Sequence, residues 1–131
     1  MSVHSRGVKP KPVKSADALT KSPPVPDYFS IYAKAEWKRI MPRLIKDRII
    51  TKADLAGVET YCLMIGTVKE IETNRTLNSG DIDPKLFGVQ NRAAQTARQL
   101  AAEYGLTPTS RARIGSNAET DDDADNPLAV R

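Results

Sequence analysis

The chain has 131 residues, 40% of them apolar, with two Phe, one Trp and a formal charge of +4. That suffices for one compact domain with tails, built on a small, largely aliphatic core of the kind that association often stabilises. No apolar run is long enough to span a bilayer, no apolar signal core opens the chain, and the lone Cys62 excludes an intramolecular disulfide, which suits a reducing cytosol.

The charge is unevenly placed. Arg6, Lys9, Lys11, Lys14 and Lys21 outweigh Asp17 in residues 1–26, whereas Glu119, Asp121, Asp122, Asp123 and Asp125 face only Arg131 in residues 116–131. A basic head and an acidic tail point to an anionic partner at one end and a different partner at the other. Residues 1–26 are also proline-rich (Lys9-Pro10-Lys11-Pro12, Pro23-Pro24-Val25-Pro26) and read as a flexible basic arm ending in a stiff extended linker. Its lysines suit sequence-independent contact with phosphates, and a merely solubilising tail has the same composition.

Ordered structure is expected from about Asp27. Phe29 leads into Ala33, Trp37, Ile40 and Leu44 at helical spacing, while Lys34, Lys38, Arg39, Arg43 and Lys46 occupy the remaining surface. Pro42 should kink this helix or start a second one. The basic surface suits either a solvated helix face or one part of a helix-turn-helix. Thr51-Lys52-Ala53-Asp54 reads as a helix start, with the Thr hydroxyl as cap and Asp54 answering it. The helix that follows should run to about Asn78. It carries two apolar stripes, one of Leu55, Val58, Cys62 and Ile65, the other of Tyr61, Met64, Val68 and Ile71. Together they are too wide for one partner helix, so the second stripe is expected to meet a neighbouring copy.

Asn78 to Pro84 is a loop by composition, and a third helix is expected from about Val89 to Tyr104 along Val89, Ala93, Ala97, Leu100 and Tyr104. Gly105 supplies its left-handed stop. Thr107 then caps a short helix led by Pro108, from which Arg111 and Arg113 project. That segment fits a structural stop-and-start and also a place for a phosphate or acidic group. The chain is therefore expected to be all-α: a helical domain over residues 27–115 with a long central helix hairpin, a flexible arm at 1–26 and an acidic, disordered tail at 116–131.

Catalytic chemistry has little to work with. The only histidine is His4, in the arm, so no histidine-based dyad or metal cluster is expected in the core. The seven glycines form no phosphate loop, and Cys62 sits on an apolar stripe as a core thiol would. The run Asp121-Asp122-Asp123 lacks the glycine turn and terminal glutamate of a calcium loop. No enzyme activity and no cofactor are expected.

A further pattern is ordered along the chain. It consists of Pro24 and Pro26, then Trp37, Pro42 and Leu44, then Thr51 and Asp54, then Tyr61, and finally Tyr104-Gly105-Leu106-Thr107-Pro108-Thr109-Ser110-Arg111-Ala112-Arg113. From Pro24 to Ile114 this resembles the phage terminase small subunits of the P27 family. That family often has a glycine ahead of the apolar residue leading into the Thr cap, where this chain has Asp47-Arg48. The resemblance implies a non-enzymatic homo-oligomeric ring in the host bacterial cytoplasm. The ring would bind viral double-stranded DNA at the packaging start site and present it to the terminase large subunit, which supplies ATPase and nuclease. On that reading Lys9, Lys11, Lys14, Lys34, Lys38, Arg39, Arg43, Lys46, Arg111 and Arg113 are the DNA-contact candidates. Tyr61, Met64, Val68 and Ile71 form the oligomer interface, and the segment after Ile114 engages the large subunit or governs DNA access. A protein-only head-assembly adaptor and a dimeric helix-turn-helix regulator are the alternatives.

Overall fold

Each helix starts on a short polar side chain and stops on a left-handed residue. In the computed structural model, which describes residues 17–113, α1 spans Ile31–Lys46, α2 spans Leu55–Leu77 and α3 spans Pro84–Glu103, with a 3-10 turn at Lys52–Asp54 leading into α2. The Ser30 hydroxyl accepts from the Ala33 N–H at 3.2 Å and caps α1. At the entry to α2 the Asp54 carboxylate accepts from the Thr51 N–H at 2.8 Å and from its hydroxyl at 3.1 Å. Asp83 caps α3 by accepting from the Lys85 N–H at 2.9 Å, with Pro84 in the first turn, where its missing N–H costs nothing. This Asp-Pro start sets α3 five residues earlier than the apolar periodicity suggests, so Val89 lies inside the helix and not at its head.

All three helices end in the same way. Arg48 (φ 51°), Ser79 (φ 65°) and Gly105 (φ 65°) adopt left-handed backbone conformations just past α1, α2 and α3. The next residue closes the turn: Ile49 N–H donates to Leu44 at 3.1 Å, Gly80 to Arg75 at 2.9 Å and Leu106 to Ala101 at 2.9 Å. The Asp47-Arg48 departure therefore keeps the glycine-type geometry without the glycine. Pro42 neither ends α1 nor starts a new helix; it lies inside the continuous Ile31–Lys46 helix, on the exposed side. Water there can bond the carbonyl that the missing N–H leaves free.

α2 is the middle of the domain. α1 and α3 each pack on it and share no contact with one another. A Cβ on Gly66 would sit 3.1 Å from the Ala33 backbone nitrogen and 3.2 Å from its Cβ, so glycine lets α1 and α2 approach. A Cβ on Gly57 would sit 1.9 Å from the Tyr104 hydroxyl, which places the end of α3 against the start of α2. The core between the helices is Phe29, Ala33, Trp37, Ile40, Met41 and Leu44 below Val58, Tyr61 and Cys62, joined by Ala97, Ala101 and Tyr104 from α3.

Two expectations change here. The wide apolar surface of α2 has two intramolecular partners, so its second stripe is largely internal. Tyr61 is buried, Met64 packs against the core, and Val68 and Ile71 are half-buried. Tyr61 is thus a core residue and not an interface one. The arm is also shorter than residues 1–26. Leu19 donates its N–H to Ile50 at 2.9 Å, Leu19 and Val25 pack on the core, and the Trp37 indole donates to Pro23 at 3.3 Å. Prolines keep residues 23–26 extended, and burial of their apolar neighbours seats them. Lys9, Lys11, Lys14 and the tail 116–131 lie outside the described residues.

Candidate nucleic-acid interface

The outward side of α1 is basic because of how the helix meets α2. Ala33, Glu36, Trp37, Ile40, Met41 and Leu44 are buried. That leaves Lys38, Arg39, Arg43 and Lys46 exposed and Lys34 half-buried. The one acidic residue of the helix, Glu36, points inward and is 2% exposed. The outward side therefore has no carboxylate of its own between Ile31 and Lys46, and Asp47 beyond the helix end pairs with Arg43 at 3.4 Å. An outward side that carries cations and no carboxylate of the helix suits phosphates and releases their counterions.

Glu36 decides which of these cations is free. Its carboxylate accepts from Arg39 Nε at 2.7 Å, from a second Arg39 nitrogen at 2.7 Å and from the Tyr61 hydroxyl at 2.6 Å. Burial pushes the Glu36 carboxyl up, but the bonds from Arg39 and Tyr61 outweigh it and hold the group below the usual carboxylate value. Burial first, then the bond to Glu36, pushes the Tyr61 phenol well up. Arg39 is thus occupied in a bidentate fork and Arg43 is shared with Asp47, while Lys34, Lys38 and Lys46 make no ion pair among the described residues. The Glu36-Arg39 spacing of three residues is the sequence signal for this pairing. Its inward direction is not visible there, because Tyr61 lies on another helix.

Arg111 and Arg113 lie on a helical turn at 108–113 beside the end of α3. Arg111 is half-buried and Arg113 exposed. Thr107 and Ser110 build that start: the Ser110 N–H donates to the Thr107 hydroxyl at 3.1 Å, and the two hydroxyls lie 2.7 Å apart. Ser110 is 4% exposed, so the Thr-Pro-Thr-Ser segment is first of all a helix cap.

A second surface is not legible in the sequence. Where α2 turns into α3, the large apolar side chains Leu77, Ile82, Leu86 and Phe87 are exposed. A groove of about 370 Å³ opens between Ile71, Ile82, Leu86 and Phe87, edged by Glu72, Arg75, Asp81 and Asp83. Arg75 pairs with Glu72 and donates to the Gly80 carbonyl at 3.0 Å, and Gln90 donates to Glu72 at 3.1 Å and to Val68 at 3.2 Å, which fastens the hairpin beneath the groove. Exposed apolar clusters of this kind mark contacts with other proteins. Cys62 is fully buried, and desolvation pushes its thiol up to about 12, the state of an inert core thiol. Among the described residues no three His, Cys, Asp or Glu side chains gather as a metal would require, and no helix is long and apolar enough to cross a membrane.

The family model for the phage terminase small subunit matches residues 33–121, from α1 through the 108–113 turn and beyond. The chain belongs to the phage terminase small-subunit family. No curated protein and no solved structure shows a significant match. As a terminase small subunit the chain carries its family match over the three packed helices and over the Thr107–Ser110 cap.

Proposed function

We propose that this chain is a P27-type small subunit that binds viral double-stranded DNA at the packaging start site as a homo-oligomeric ring and hands it to the terminase large subunit in the host cytoplasm. The subunit itself does no catalysis. The observation that supports DNA contact best is the outward row of α1, where the helix's only carboxylate is turned into the core and Lys34, Lys38, Arg43 and Lys46 face out. Lys9, Lys11 and Lys14 of the arm add sequence-independent phosphate contacts, and Arg113, with Arg111 behind it, adds a smaller set elsewhere on the subunit. Arg39 contributes through the α1–α2 packing and not through DNA. The exposed apolar groove at the α2–α3 turn, with Val68 and Ile71 beside it, takes the role of the contact between copies. The acidic tail meets the large subunit.

Replacing Lys38, Arg43 and Lys46 together by Ala tests the row. Duplex DNA affinity should fall, and the slope of log affinity against log salt should flatten by about 0.9 for each phosphate that is no longer neutralised. An unchanged slope in a folded variant would remove α1 from the DNA surface. The same measurement on Lys9, Lys11 and Lys14 apportions the arm.

A further inference from the structure

α3 carries a surface to which the proposed DNA contacts give no role. From Pro84 to Ala102 the chain contains no Asp or Glu, yet it contains Lys85, Arg92 and Arg98 with Asn91, Gln95 and Gln99. At about 3.6 residues per turn, Asn91, Arg92, Gln95, Arg98 and Gln99 fall within roughly a third of the helix circumference. All five are exposed. The opposite side holds Ala93, Ala97 and Ala101, buried against α2. Gln90 faces inward and is occupied by Val68 and Glu72. Asn91, Gln95, Arg98 and Gln99 make no side-chain hydrogen bond or ion pair among the described residues. Gly88 is half-buried and Ala102 exposed on the same arc, so nothing bulky holds a partner away from it.

The composition of this arc is selective. A helix face that only needs water tolerates Glu and Lys equally well. This one has Arg, Asn and Gln, whose paired donors and acceptors match base edges: Arg to guanine, Asn and Gln to adenine. It is also the width and shape of element that fits the major groove of duplex DNA. The α1 row, by contrast, is mostly lysine and carries no amide side chain, which suits phosphates and carries no sequence information. α1 and α3 pack on α2 separately, with no close backbone approach to one another.

We propose that the exposed face of α3 reads base edges in the major groove, with Asn91, Gln95, Arg98 and Gln99 as the reading side chains and Arg92 and Lys85 on the flanking phosphates. The α1 row and the arm then supply affinity, and α3 supplies sequence preference. This rests on the reading of the chain as a DNA-binding subunit.

The test is selection from a pool of random-sequence duplex DNA by the full chain, repeated with Asn91→Ala/Gln95→Ala/Arg98→Ala and with Lys38→Ala/Arg43→Ala/Lys46→Ala. The expected result is an enriched motif for the parent chain. The α3 variant should lose preference for that motif over bulk duplex roughly tenfold for each base contact removed, with non-specific retention reduced only by the one arginine. The α1 variant should retain less DNA while selecting the same motif. The same motif at the same enrichment in the α3 variant overturns the α3 assignment and leaves DNA binding standing, as does a parent chain that retains DNA without preference. A parent chain that retains no duplex at low salt removes both readings. An α3 variant whose particle mass in solution falls below the parent's assigns this face to contact between copies, which also overturns the proposal.

Discussion

The two halves of α2 differ in what covers them. In the first half Val58, Tyr61 and Cys62 are enclosed from both sides, by α1 and by the end of α3. Toward its far end α3 stands alone beside the helix, and Leu77 of α2, Ile82 of the loop and Leu86 and Phe87 at the start of α3 are left in water. Apolar side chains therefore stand at both ends of the hairpin, and coverage by a second helix decides which of them are buried. The first half turns its burial into stability, including an ion-paired carboxylate on α1; the far end leaves apolar area open.

The largest effect expected from breaking this contrast lies at Glu36. Glu36→Ala removes the acceptor of both Arg39 and Tyr61 and opens space beneath α1. A loss of roughly 3 kcal/mol is expected, at the lower end for a broken buried pair because the Arg39 side chain is still mostly in water. Denaturant unfolding followed by Trp37 fluorescence reads it. The acid side gives a second signature. The folded Glu36 value lies below its ordinary 4.5, so its contribution is complete above 4.5 and is lost as pH falls through the depressed folded value. The parent chain should lose stability over that acid window, and the variant should lose less. Equal stability and equal acid dependence would mean that the network holds nothing together.

A smaller effect of opposite sign is expected in the turn that leads into the enclosed half. Arg48 holds a left-handed backbone (φ 51°) that disfavours any residue with a Cβ. Arg48→Gly should stabilise the fold by about 0.5–1 kcal/mol, the relief of that strain less the extra entropy of glycine in the unfolded chain. A loss of stability would show instead that the Arg48 side chain carries packing of its own.

The smallest change in stability is expected at the open end, with the largest change in behaviour. Leu86→Ser with Phe87→Ser replaces exposed side chains and should alter unfolding by less than about 0.5 kcal/mol. If copies meet through this groove, the particle mass measured by light scattering should fall to that of a smaller assembly. An unchanged mass would place the contact elsewhere and break the contrast between the two halves.

Much of the fold is legible because its signals are local. Thr51 and Asp54, Gly105, and Thr107 ahead of Pro108 act within a turn of the residues they cap, and the spacing of Trp37, Ile40 and Leu44 gives the buried face of α1 directly. Apolar periodicity alone starts α3 too late, although the Asp83 cap and Pro84 mark the true start. Of the candidate site, the cationic row of α1 can be read from residue types. The occupation of Arg39 cannot, since its partner's third bond comes from Tyr61, 25 residues away from Glu36 along the chain.

What the sequence determined by itself was the helical class, the Thr51–Asp54 and Thr107 caps, the Gly105 stop and the resemblance to the terminase small subunits. Tertiary structure alone decided how the broad apolar surface of α2 is shared. Helix periodicity says which residues lie on one side of a helix but not how many neighbours that side will meet. Two neighbours converge on the first half of α2, and this drew Tyr61 and Glu36 inward and left the apolar groove at the far turn open. Burial is a property of several segments together, and no window of the chain contains it.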